Sequence, residues 1–164
     1  MRESKTQTGF SLIELLIVVA VILIIVAIAI PSLLRARIAS NESATVGNIR
    51  TITTALVAYT VLFPACGYPN SLTRLQPGTP VSNAAAGLLD ATTAADTLNK
   101  SGYTVTYTLV SGVGDCVGEP GNGFEIRAKP QLLNRTGVRG FFTDASFIIR
   151  AGPNGNADAT SPML

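Results

Sequence analysis

Residues 15–30 of this chain contain no polar side chain, and that run limits the possible folds more than any other feature. A surface helix of a soluble domain needs a polar face, and this one has none. Counted from Phe10 to Ile30 the segment is 21 residues. As a helix that is roughly 31 Å, about the hydrocarbon thickness of a bilayer. Glu14 interrupts the apolar character near its start. A carboxylate inside lipid costs on the order of 3 kcal/mol even on permissive insertion scales, so a nearby cation or a proton must neutralise it. The short flank before the run sets Arg2 and Lys5 against Glu3 and favours a cytoplasmic start. An ordinary secretory signal would be cut behind the apolar stretch, where Ala27, Ala29 and Pro31 could imitate a site. The run is longer than a usual signal core and carries an acid, which points to a retained anchor.

The succession Gly9-Phe10-Ser11-Leu12-Ile13-Glu14 at the head of this run resembles the N-terminus of type IV prepilins and the related pseudopilins. The likeness is close over residues 9–34 and looser beyond. It implies cleavage after Gly9 by a prepilin peptidase, methylation of the new N-terminal Phe10, and a mature chain of 155 residues. It implies that Glu14 partners the N-terminal amine of a neighbouring subunit during assembly, and that Pro31 is the helix-kinking proline. Thr8 stands where many members carry a basic residue, and Leu23 where many carry a glycine. The implied fold is α+β: a long N-terminal helix, half membrane anchor and half amphipathic, packed on a small antiparallel β-sheet. The corresponding organisation is a leader at 1–9, a transmembrane or filament-core helix at 10–31, an amphipathic half at 32–63, and an extracytoplasmic domain at 64–164 ending in a flexible tail. The implied partners are further copies of the chain in a filament, the prepilin peptidase, the pilus assembly machinery and, before assembly, the inner membrane. The implied destination is an extracellular filament on the cell surface.

Composition agrees with one anchored domain. About 130 residues remain outside the anchor, enough for a single core. The net charge of the whole chain is +2. Without Arg2, Glu3 and Lys5, ten basic and nine acidic side chains remain, so no electrostatic case arises for a specific nucleic acid partner. The chain has no His, which excludes histidine-based catalysis and histidine metal sites. No enzymatic activity, catalytic residue, metal or cofactor is expected. Cys66 and Cys116 are the two cysteines. In an oxidising compartment they read as one disulfide closing a loop of about 50 residues, worth roughly 4 kcal/mol; otherwise they are two free thiols. Such a bridge would lie earlier in the chain than the C-terminal loop closed in many pilins.

Beyond Pro31 the pattern turns amphipathic. Ile38, Thr45, Ile49, Ile52, Leu56, Tyr59 and Phe63 recur at helical steps, with Arg35, Arg37, Asn41, Glu42, Asn48 and Arg50 assigned to other faces. Pro64 ends the helix. A short helix is expected over 91–99, strands over 103–110 and 124–129, and a final hairpin over 140–143 and 145–150. Phe141 and Phe142 read as strand core, and the ten aromatic residues look scattered. The glycine-rich stretch between the first two strands lacks a phosphate-loop pattern. Asp115 and Glu119 within it could be offered to calcium but read as a solvated turn. Three triplets, at Asn41, Asn99 and Asn134, match the N-glycosylation pattern, which occurs often by chance.

The expectation is therefore a structural subunit of a type IV pilus-like filament. A pseudopilin of a type II secretion system is the near alternative. A membrane-anchored binding module that never polymerises, with Tyr68 and Arg74 facing a ligand, is the distant one.

Overall fold

The computed structural model describes residues 9–114, 116 and 118–164. The chain divides into two compact units, Met1–Ala36 and Arg37–Leu164. One long helix, α1 (Leu12–Leu62), contributes to both. In the first unit every large apolar side chain of α1, from Leu12 to Leu34, is between 40 and 81% exposed. By length and composition this helix can cross a membrane.

The second unit is helix on sheet. Strands β1 (Thr97–Lys100), β2 (Tyr103–Ser111), β3 (Gly123–Pro130), β4 (Gly140–Asp144) and β5 (Arg150–Gly152) form one sheet in chain order. Every neighbouring pair is antiparallel. Side chains alternate across the sheet with period two, so Tyr103, Val105, Tyr107, Phe124, Ile126, Ala128 and Phe141 share the inner face. Against that face the helix lays Val46, Ile49, Ile52, Ala55, Leu56 and Tyr59, all buried. Tyr59 and Tyr103 are fully buried, and their hydroxyls donate to the carbonyls of Asn83 and Arg139, both at 2.7 Å. A buried phenol is tolerated because its polar end is satisfied.

Several elements differ from the sequence-based expectation. Residues 91–99 form a turn and then β1, not a helix. The Asp90 carboxylate accepts from the amides and hydroxyls of Thr92 and Thr93, closing a single turn. The Asp96 carboxylate then accepts from the Leu72 amide at the head of a short 3-10 helix (Leu72–Leu75) that the pattern had not suggested. The last hairpin is shorter than expected, since β5 begins only at Arg150. The aromatic residues are not scattered in space: Tyr68 and Tyr107 both pack on Phe124, with centroids 4.9 and 6.2 Å away.

The C-terminal segment folds back instead of trailing freely. The Ala151 amide donates to the Pro162 carbonyl and the Leu164 amide to the Ile149 carbonyl, both at 2.9 Å, and Arg150 bridges to Met163. Gly140 and Gly152 make this possible. A Cβ on Gly152 would lie 1.9 Å from the Asn156 carbonyl oxygen, and one on Gly140 would lie 2.5 Å from the Gly155 backbone. Phe142 alternates onto this outer face, yet it is buried, with the Arg127 guanidinium 5.0 Å from its ring centre.

Candidate functional site

The N-terminal segment carries a shallow apolar groove lined by Val26, Ala29, Ile30, Ser32, Leu33 and Ala36 on either side of Pro31. Gly9 is unstructured backbone, with open space where a Cβ would stand. Phe10 is exposed. Glu14 occupies the first turn of α1 and is exposed. Its carboxylate has no hydrogen bond or ion pair among the described residues. Pro31 lies inside α1, where it withholds one backbone donor from the helix ladder. Apart from Gly9 the expected leader lies outside the described residues, as does Asp115. Among the described residues this segment therefore presents one exposed acid on an otherwise apolar, exposed helix.

Cys66 and Cys116 are joined as a disulfide. The bond belongs to a larger corner. The Gly121 amide donates to the Cys66 carbonyl, the Tyr68 amide to the Gly121 carbonyl and the Asn70 amide to the Gly114 carbonyl. Backbones can approach this closely because Gly121 has no side chain; a Cβ there would lie 2.1 Å from the Tyr68 carbonyl oxygen. Tyr68 and Arg74, the residues a binding module would present, serve the same corner. The Tyr68 ring packs edge-on against Phe124, and Arg74 donates to the Asn70 side chain and the Asn83 carbonyl.

A polar clamp missed by the sequence reading holds the helix to the sheet. Glu42 is 8% exposed at its side chain, not on the outward face assigned to it. Its Oε1 accepts from the amides of Val138 at 3.0 Å and Arg139 at 3.1 Å. Its Oε2 accepts from the Arg139 guanidinium through Nε and Nη2, both at 2.8 Å. Burial raises the Glu42 carboxyl, but the two amides and the guanidinium outweigh it and hold the group below its ordinary value. Tyr103 completes the clamp by donating to the Arg139 carbonyl. Burial and then the Glu42 charge push that phenol upward, so it stays a donor. Gly137 is required here because a Cβ would lie 1.9 Å from the Tyr103 hydroxyl. Asn41, the first residue of one glycosylation triplet, donates to the Thr136 carbonyl at 2.9 Å. A signal for Glu42 was present: it stands four residues after Ile38, three before Thr45 and seven before Ile49, directly on the buried stripe. Its charge argued for the wrong face because its partner is 97 residues away.

Comparison with protein-family profiles matches a prokaryotic N-terminal methylation motif over residues 4–30. That motif is the leader signature of type IV pilins and pseudopilins, so the chain carries a pilin-like precursor segment ahead of a pilin-like α+β arrangement. The same signature implies processing by a prepilin peptidase in a pilus assembly context. Neither curated proteins nor solved structures gave a match.

Proposed function

We propose that this chain is a structural subunit of a type IV pilus-like filament. It enters the inner membrane through α1, is cut after Gly9 and methylated on Phe10, and is drawn into a helical fibre at the cell surface. The observation that carries the reading is the apolar helical segment from Leu12 to Leu34, whose large side chains are all exposed in the isolated chain. Such a surface must be covered, first by lipid and then by the same segment of other subunits. Leaving lipid for the fibre core exchanges one apolar surrounding for another, so close helix packing and the matching of the polar groups carried along, not removal of apolar surface from water, favour assembly. Glu14 is the group that needs matching, and the methylated amine of Phe10 on a neighbouring subunit is the cation that matches it. The pair sets the axial register of the fibre, while the domain formed by 37–164 decorates it.

Mass spectrometry of surface-sheared material tests the processing. A methylated Phe10 N-terminus in sedimenting fibres is expected; an intact Met1, or a cut beyond Ala29, would refute the assignment. Glu14→Ala should still insert and be processed but give few fibres. Normal fibre yield from that variant would sink the register role.

A further inference from the structure

The part of α1 within the second unit contains a single acid, Glu42, and that acid is buried against Arg139. Its solvent face therefore carries the cations Arg37 and Arg50 and, toward its end, exposed Val57, Val61 and Leu62, with Val61 74% exposed. Arg50 makes no ion pair among the described residues. Leu88 lines a groove beside Arg50, while Val57, Val61 and Leu62 stay exposed among the described residues.

A second uncovered surface lies at one end of the sheet. The β2–β3 register shifts between Leu109 and Ser111, which leaves Val110 as the extra residue of a bulge, 59% exposed. In the turn after β4, Phe147 adopts φ of 61°, a left-handed conformation unfavourable for a bulky side chain. Its ring touches Phe124, centroids 5.7 Å apart, but stays 41% exposed beside Ile148. Bulge and strain both hold apolar side chains at the surface. Acids lie at this end: the cross-strand partners Glu125 and Asp144 line a shallow groove with Val110, and Glu119 follows in the adjoining loop, where its carbonyl accepts from the amide of exposed Val113. Glu125 is paired with Arg127, whereas Glu119 forms no ion pair among the described residues.

We infer that these surfaces are the two halves of one contact between copies of this chain, the cationic valine face of 37–62 docking on the acid-rimmed apolar end of the next subunit's sheet. Charge complementarity carries the choice of partner. Like faces would set Arg50 against its own copy, or Glu119 and Asp144 against theirs, so pairing of one face with the other is favoured. Two different patches on one subunit make a heterologous contact, which propagates instead of closing. The inference rests on the filament reading above and adds a lateral contact outside the apolar segment.

The test uses the full chain in cells that assemble it. Arg50→Glu and Glu119→Arg each lower sheared-fibre yield about tenfold, and the double variant recovers to within about threefold of wild type. A photo-crosslinking residue at Val61, in fibres mixed from isotope-labelled and unlabelled chains, forms intermolecular links to 110–113 or 147–148. Single variants that assemble normally, a double variant no better than the singles, or links to another surface or another protein in fibres that do form would each overturn this contact alone. Failure of the wild-type chain to form fibres would overturn the filament reading and this contact together.

Discussion

Replacing Glu42 is the sharpest perturbation of the folded domain. Its carboxylate satisfies two backbone amides and a guanidinium at once. Glu42→Ala leaves the Val138 and Arg139 amides without partners in a largely buried position. Unsatisfied buried donors cost about 1–3 kcal/mol each, and breaking a buried pair costs about 3–5 kcal/mol. Arg139 is 52% exposed and recovers hydration, which argues for the lower end, about 3 kcal/mol in total. Glu42→Gln keeps one acceptor but turns an amide donor toward the guanidinium, and about 2 kcal/mol is expected. The pH dependence provides the control. The Glu42 carboxyl is held below its ordinary value of 4.5 in the fold, so its stabilisation is fully present above that value and is lost as pH falls through the lower folded value. The stability gap between wild type and Glu42→Gln should therefore shrink as pH drops below about 4. Urea unfolding of the detergent-solubilised chain, followed by near-ultraviolet tyrosine dichroism at pH 7 and pH 3, measures the gap. No gap at pH 7, or one unchanged at pH 3, would refute the clamp as a stabilising element.

Two further substitutions probe the core and the disulfide corner. Thr143 is fully buried and its hydroxyl has no hydrogen-bond partner among the described residues, so Thr143→Val should stabilise the domain by about 1 kcal/mol; a lower urea midpoint would contradict that. Replacing Cys66 and Cys116 together by Ser removes a link across 50 residues and should destabilise by roughly 4 kcal/mol. The Gly121–Cys66 and Tyr68–Gly121 backbone bonds should nevertheless keep the corner folded, with amide exchange there faster but still protected. Random-coil exchange at those amides would show that the disulfide alone holds it.

What could be read in advance followed from local chemistry. The strand periods at β2 and β3 were legible because alternation is written over nine and eight consecutive residues. The short β1 and the 3-10 helix were not, because neither carries a periodic signal of its own: β1 is defined by pairing with β2, Leu98 opposite Val105, and the 3-10 helix by the Asp96 carboxylate on Leu72 and by the Arg74 and Leu75 carbonyls, which accept from Ala86, Leu88 and Leu89. The tail read as free chain because glycine, proline and asparagine carry no periodic signal. Its anchorage comes from vacancies above Gly140 and Gly152, which exist only once β4 and β5 are paired.

The sequence by itself determined the N-terminal segment: sixteen successive apolar residues behind Glu14 leave one helix in an apolar surrounding as the solution, whatever follows them. Helix identity and the alternation of the main strands were likewise local, since hydrophobic period needs no partner to be recognised. Tertiary structure decided what meets the Glu42 charge on the stripe its spacing marked, that Phe142 is covered on the opposite side of the sheet from Phe141, and that the tail is a strap. Each of those outcomes depends on a group outside the element that carries the residue. A charge or an aromatic ring carries no label for the face it will occupy until that partner arrives.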